Sequence, residues 1–338
     1  MRTTPTRADV VAGDPFTPPL LLRYPALAWL PRVRLGSFPT PVEPVTLPGG
    51  GTLWVKRDDL SASPLGGNKV RGLEFLLAGI GRGDTVITVG ARGSTHALAT
   101  ATYARALGAR AVVWRWPQEE NAQSARVARA VERAASEIHD VIHPLQAMAG
   151  AWLASLRPRT RRVPAGGSTP LGVLGHVNAA LELSEQIAAG RLPAPANVVV
   201  PLGSGGTAAG LALGFAIAGV RTRVLAVAVA PRIVANRRRV LRLASSTARL
   251  IESSTGHPVP RPSADAVTAT HDEYGGAYGR ATESGRAAAS WLRSAARIDV
   301  DATYSAKALA AAMTTARRGA PTLFWLTFDA RSIILPSP

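Results

Sequence analysis

Along residues 52–230 two hydrophobic periodicities alternate. Apolar residues recur at every second position, or without a break, over short runs, and then at every third or fourth position over longer ones. The first pattern marks strands and the second marks helices that lay one face on a core. TLWVKRDDL at 52–60 predicts a strand, and KVRGLEFLLAGI at 69–80 predicts a helix with Val70, Leu73, Leu76 and Leu77 on one side. TVITVG at 85–90 predicts the next strand, followed by the turn ARGSTH and a helix, ALATATYARALG, that stops at Gly108. AVVWRW at 111–116 reads as a strand; a helix over 121–136, a short strand over 139–142 and a helix over 145–156 follow it. VPAGGS at 163–168 leads into the helix HVNAALELSEQIAAG. NVVVPLGSGGTAAGLALGFAIAG at 197–219 is strand, glycine-rich turn and helix, and RVLAVAVA at 223–230 is a further strand. Several of these strands are apolar throughout, as parallel strands covered on both faces are. Residues 1–50, rich in proline, predict an extended arm with short turns, and 231–270 reads as polar loops.

The expected class is therefore α/β, and 338 residues suit about two domains of ~150 residues. Hydrophobic residues make up 46% and charged residues 18%, a globular composition. Lys+Arg 39 against Asp+Glu 22 leaves a net charge of +17. The arginines are scattered, with short groups at 157–162 and 237–239 and no interleaved aromatic residues for base stacking, so nucleic acid is not the expected partner. Such a field still attracts small anions. The absence of cysteine excludes disulfides and thiolate nucleophiles, and the six histidines lack metal-binding spacing, which argues against a metal enzyme. MRTTPTRADVVAGDPF has no apolar signal-peptide core, and the apolar stretch near 208–220 is too short to span a membrane. The expectation is a cytoplasmic protein without a membrane partner.

Two short stretches carry candidate chemistry. Arginine supplies nearly all the positive charge, yet GGNKVRG at 66–72 places a lysine, Lys69, at a helix start. Lysine can lose its proton and act as a nucleophile, which arginine cannot. GSGGT, residues Gly203, Ser204, Gly205, Gly206 and Thr207, lies between a strand and a strongly helical run, where converging N–H groups and the helix dipole attract phosphate. A purely structural turn shares that pattern. It matches neither GxxxxGK[ST] nor GxGxxG, so triphosphate and dinucleotide folds are not indicated.

VKRDDLSASPLGGNKVRGLEFLL strongly resembles the cofactor-lysine segment of the family of 1-aminocyclopropane-1-carboxylate deaminase and D-cysteine desulfhydrase, pyridoxal phosphate enzymes of the tryptophan-synthase-β-like fold, fold type II. LPRVRLGSFPTPVEPV, GSTH at 93–96, VPAGGSTPLGVLGHVNAALEL, GSGGT, DEYGGAYG and DVDATYSAKAL follow the family in the right order, from about residue 30 to 328. The resemblance implies a two-domain, three-layer αβα architecture with parallel sheets. A smaller domain at about 72–182 is inserted into a larger one made of 1–71 and 183–338, with the cofactor between them. It implies a homodimer, a small amino-acid substrate, and pyridoxal 5′-phosphate held as a Schiff base by Lys69. Asn68 and Thr95 would lie beside the cofactor ring, residues 203–207 would hold the phosphate, and Ser94, Thr95 and His96 would bind substrate, with Ser94 also a catalytic residue that handles protons. Tyr304, Tyr274 and Tyr278 would handle protons or substrate, and Thr327 and Ser305 would line the ring. Capping of a following helix equally accounts for Ser94, Asn68 and Ser305, and buried aromatic packing for each tyrosine. At the position of Ser305 the deaminases carry glutamate and the desulfhydrases threonine; a hydroxyl there favours a neutral ring and β-elimination.

The expected function is thus a lyase that removes an α-proton and eliminates a β-substituent, giving a 2-oxo acid and ammonia. Cyclopropane ring opening and β- or γ-replacement are the alternatives within the family. An anion- or nucleic-acid-binding protein without catalysis is the alternative outside it. Three departures stand out. Gly72 occupies the place of a phosphate-side lysine, leaving Arg71 or Arg92 to replace it; Thr95 replaces an asparagine; and Phe328 and Asp329 replace two glycines, where bulk and charge are expected to reshape the substrate pocket.

Overall fold

A computed structural model of the chain describes residues 17–331, so the reading of the first sixteen residues lies outside the described residues. The strands are β1 (Val42–Thr46), β2 (Thr52–Arg57), β3 (Thr85–Ala91), β4 (Arg110–Trp116), β5 (Glu137–Asp140), β6 (Thr160–Val163), β7 (Asn197–Leu202), β8 (Arg223–Ala228), β9 (Val267–Thr270) and β10 (Thr322–Leu326). The helices are α1 (Pro19–Arg23), α2 (Asn68–Leu76), α3 (Thr95–Ala106), α4 (Ala122–Ala134), α5 (Pro144–Ala154), α6 (Pro170–Ala188), α7 (Gly206–Ala218), α8 (Arg237–Thr255), α9 (Glu283–Ala296) and α10 (Ser305–Arg317).

Two sheets result. One has six strands in the order β1-β2-β10-β7-β8-β9, parallel except for the antiparallel edge pair β1 and β2. The other has four parallel strands in the order β5-β4-β3-β6. Period-two alternation divides each strand of the large sheet between two cores. Val198, Val200, Leu323 and Trp325 face α6, α7 and α8, whereas Val199, Phe324 and Leu326 face α9 and α10. The large sheet is therefore the middle of three layers.

Five elements depart from the sequence reading: α1 in the N-terminal arm and β9 within 231–270 are two of them, and the other three are β1, β6 and α8. The N-terminal arm contributes β1, β6 is a short strand with an exposed centre, and 231–270 holds the nineteen-residue α8. The inward face of α8 is Val240, Ala244, Thr247, Ala248 and Ile251, at helical spacing but set among arginines and serines that make the segment polar on average.

α2 joins the two sheets. Phe75 enters the large core, while Val70, Leu73, Leu76 and Leu77 pack with β3, α3 and α4. α2 also lies directly on α6: a Cβ on Gly72 would sit 2.9 Å from the carbonyl oxygen of Gly172, and one on Gly175 only 2.0 Å from that of Arg71. Gly72 is therefore glycine because two helix backbones touch there. Beneath this crossing lies a buried ionic cluster. Arg71 pairs with Asp58 (2.7 Å) and Glu182 (2.9 Å), Glu182 also pairs with Lys56, and the Trp325 indole donates to Asp58 (2.7 Å). It ties β2, α2, α6 and β10 together at one point.

Candidate active site

Lys69 sits in the first turn of α2, in a chain whose three lysines, Lys56, Lys69 and Lys307, all point inward. Burial without a neighbouring anion brings the Lys69 pKa down from 10.5 to about 8. At neutral pH its free-amine fraction is then a few hundredfold larger than that of a surface lysine, by order of magnitude. His96 and His176 flank it. Burial, with Lys69 adding to it, lowers His96 to about 3 and His176 well below the ordinary histidine range, so both imidazoles stay neutral. Reaction of the cofactor-free protein with an aldehyde probe is expected to rise through pH about 8 at Lys69 instead of near 10.5. Mass spectrometry after reduction reads the site; a profile that climbs only above pH 10 would contradict the burial argument.

The residue before Lys69 reaches the glycine-rich turn. The Asn68 amide donates to Thr207 Oγ1 (2.7 Å), and the Asn68 backbone N–H donates to the carbonyl of Thr327 (3.0 Å). Gly205, at φ 95°, turns the chain from β7 into α7, so that the N-terminus of a thirteen-residue helix opens beside Asn68. The second wall of the turn is the 163–168 segment, where the Ser168 and Ser204 hydroxyls meet at 2.7 Å. Arg239, at the start of α8, donates from Nε to the Ser204 carbonyl (3.4 Å), which brings a guanidinium to the outside of the turn.

From Thr327 the contacts continue around the site. Its hydroxyl is 3.4 Å from that of Ser305, the first residue of α10. Asp301 caps this helix by accepting from the backbones of Tyr304 (2.6 Å) and Ser305 (3.0 Å), and its burial raises its pKa. The Tyr304 hydroxyl contacts that of Tyr278, with the rings edge to face at 5.9 Å, and also bonds the Thr95 side chain. Burial raises Tyr278 to about 12 and Tyr304 well above its ordinary value, so both phenols stay protonated at neutral pH. Ser94 caps α3, its Oγ accepting from Ala97 (3.2 Å), and His96 Nε2 lies 3.1 Å from Thr88 Oγ1. Tyr274 joins differently: its carbonyl accepts from the buried Lys307 (2.7 Å), which also lies under its ring. Loops of the two sheets close over this group, with Arg280 on Glu119 (2.9 Å) and Asn121 on the Gly279 carbonyl (2.6 Å).

The departures noted in the sequence acquire physical reasons. Arg71 is held in the ionic cluster and stacks on Phe38 at 4.3 Å, and Arg92 pairs at the surface with Glu120, so neither supplies a cation to the turn. Phe328 is buried in the core with Leu65, Val70 and Leu98, and Asp329 bonds Arg331 (2.8 Å). The bulk of Phe328 is thus taken up by that core and the charge of Asp329 is met by Arg331. His176, Lys307, Ser168, Arg239 and Asp301 belong to the site or its support, and were not singled out from the sequence. Asp301 lies ahead of the cap position, which Tyr304 fills, so no capping pattern in the sequence marked it.

A dehydrated lysine on a helix start, set against a glycine-rich turn at the end of a parallel strand, defines an enzyme that carries a phosphorylated aldehyde cofactor. The family model for pyridoxal-phosphate dependent enzymes matches residues 33–327, and the chain belongs to that family. Its cofactor is pyridoxal phosphate. Nocardicin C-9′ epimerase of Nocardia uniformis subsp. tsuyamanensis is 38% identical over 293 residues, 82% of this chain and 86% of the relative. D-cysteine desulfhydrase of Serratia proteamaculans is 33% identical over 298 residues, 84% and 88% of the two chains. Among solved structures, an ACC deaminase homologue superposes with a TM-score of 0.74 at 29% identity, covering 90% of this chain and 94% of its own. The fold is that of type II pyridoxal phosphate enzymes, and threonine deaminase isoform 2 of Solanum lycopersicum shares it at a TM-score of 0.58. Among the described residues no helix is long and apolar enough to cross a membrane.

Proposed function

We propose that this enzyme is a lyase that removes the α-proton of a small amino acid and expels its β-substituent, as D-cysteine desulfhydrase does by name. The observation that carries this reading is the pairing of Lys69, a low-pKa amine without an anionic neighbour, with a hydroxyl, Ser305, at the start of α10. Bound pyridoxal phosphate supplies the electron sink that makes the α-proton removable. Lys69 would hold the cofactor through its amine, and the same amine, with its lowered pKa, is the base placed to take the α-proton. Residues 203–207 would hold the phosphate, and Asn68, Thr327 and Ser305 would line the ring, where Ser305 offers a hydroxyl and no carboxylate. Ser94, Thr95 and His96 bind the substrate carboxylate at the N-terminus of α3, where backbone N–H groups converge. Tyr304 and Tyr278, protonated at neutral pH, deliver a proton to the departing β-group, and Tyr274 holds its loop on Lys307. The β-substituent leaves with its bonding pair, and the released enamine takes up water to give a 2-oxo acid and ammonia.

A second reading has its own support. A base on α2 and a hydroxyl pair contributed by α10 and the 271–280 loop are two separate proton-handling groups, as inversion at the α-carbon requires, and one relative is an epimerase by name. Incubation in D2O with D- and L-cysteine, β-chloroalanine and 1-aminocyclopropane-1-carboxylate separates the two. Formation of 2-oxo acid supports the lyase; deuterium at an inverted α-carbon without 2-oxo acid supports epimerisation.

The same reading divides the chain into a smaller unit at about 72–182 inserted into a larger one, with the site between them, and makes it a cytoplasmic homodimer. Since Gly72 leaves no room for a lysine, Arg239 takes the role of the cation beside the phosphate. Arg239→Ala is expected to weaken retention of pyridoxal phosphate about tenfold, equivalent to ~1.4 kcal/mol, in equilibrium dialysis with the fold unchanged. Unaltered retention would remove Arg239 from the site.

A further inference from the structure

α5 is built inside out. It crosses one face of the four-stranded sheet as the connection between the edge strands β5 and β6, and what it turns toward the sheet is small. Ala147 and Ala151 are fully buried against Ile87, Val89 and Val112, and a Cβ on Gly150 would lie 2.3 Å from the Trp114 ring. The large side chains point the other way. Ile142, just ahead of the helix, Leu145, Met148, Trp152 and Leu153 on it, and Leu156, just beyond, are between 43% and 85% exposed. PLQAMAGAWLA contains no charged residue in a chain of net charge +17. A helix apolar on every side is ordinarily buried. α7, equally free of charge, obeys this rule within the large core; α5 does not.

We infer that the outer face of α5 is the surface on which a second copy of this chain docks, α5 against α5 across a twofold axis. The inference rests on the homodimer reading above and assigns it a place. The six apolar side chains together present on the order of 800 Å2, more than the largest apolar patch of a typical monomer and about what each partner contributes to a standard interface. A twofold interface is self-complementary, so the same patch must suit itself. A stripe without charge does so, whereas other exposed faces of a +17 molecule repel their own copy. The charges at the ends of α5 are Asp140 ahead of its start, exposed but already paired with Arg115 (2.7 Å), and Arg157 beyond its end, also exposed. Antiparallel packing about the axis sets Arg157 of each copy toward the exposed side of the Arg115–Asp140 pair of the other, whose carboxylate it would share, while parallel packing would bring the two Arg157 side chains together.

The test uses the full-length holoenzyme. Light scattering coupled to size exclusion is expected to give twice the 35.2 kDa chain mass for the unaltered protein. The double variant Leu145→Glu/Trp152→Glu is expected to run as a 35.2 kDa monomer with its cofactor spectrum retained, its dimerisation weakened at least a hundredfold. A dimer that survives both substitutions overturns the assignment of the face but leaves the homodimer standing. A monomeric unaltered protein overturns both. Should the double variant fail to fold, the cysteine-free chain offers a second route: Ala149→Cys is expected to cross-link to its own copy with a short bismaleimide, and Ile233→Cys, exposed elsewhere, is not. Absence of the Ala149→Cys cross-link overturns the inference.

Discussion

Lys69→Ala is expected to lower turnover by about 10^4-fold or more, because one side chain performs two tasks that no neighbour repeats. His96 and His176 lie beside it but are buried and held neutral, and neither carries an amine. Lys307, the remaining buried lysine near the site, is committed to the Tyr274 carbonyl, and Lys56 to Glu182. The variant should still fold, since the substitution removes a dehydrated cation that makes no ion pair among the described residues. Borohydride reduction of the holoenzyme should leave added mass on Lys69, and the alanine variant should acquire none. Added mass on Lys307 instead would move the chemistry to α10 and overturn the assignment.

Glu182→Gln is expected to cost about 3–5 kcal/mol of folding stability, a large effect for a change of one atom. Glu182 faces two cations, Lys56 and Arg71, and Asp58 alone would remain to balance them; all four are at most 4% exposed. Arg71 keeps its proton whatever happens, so the surplus charge falls on Lys56, whose pKa burial already lowers. Lys56→Met added to Glu182→Gln removes one charge of each sign and should recover part of the loss, which denaturant unfolding of the two variants measures. Equal stability of the single and double variants would show that the cluster is not electrostatically coupled. The damage should also reach the site, because Arg71 stands two residues from Lys69 on the same helix.

The strands and helices of 52–230 could be read because their periodicity is undiluted: runs such as VVV in β7 are buried on both faces, and α7 is apolar throughout. α8 escaped because its outward face of arginines and serines makes the segment polar on average, although Val240, Ala244, Thr247, Ala248 and Ile251 recur at helical spacing, the signal that could have found it. β1 and β6 escaped for a related reason, being edge strands with exposed residues and, in β1, a proline. The lysine, the glycine-rich turn and the order of the matching motifs are local features, so the family was legible in them. What could not be read locally is direction. Nothing in KVRGLE says that Arg71 turns toward Asp58 while Lys69 turns toward His96, nor that Phe328 enters a core; these depend on which element lies opposite. Gly72 is the clearest instance, since its cause, the Gly172 carbonyl, is a hundred residues away in sequence.

That contact has a further consequence. α2 leads the chain out toward the four-stranded sheet and α6 leads it back, and the two are fastened backbone to backbone. The point of departure and the point of return are thus one joint, tied to the large sheet through Phe75 and the Arg71–Glu182 pair and to the inserted segment through Val70, Leu73, Leu76 and Leu77. Segments whose ends fit that joint, and which keep the 94–96 turn and the apolar face that covers Val70, Leu73, Leu76 and Leu77, should be exchangeable for residues 80–160 without moving the amine away from its anion turn, which makes this crossing the natural seam for building chimeras.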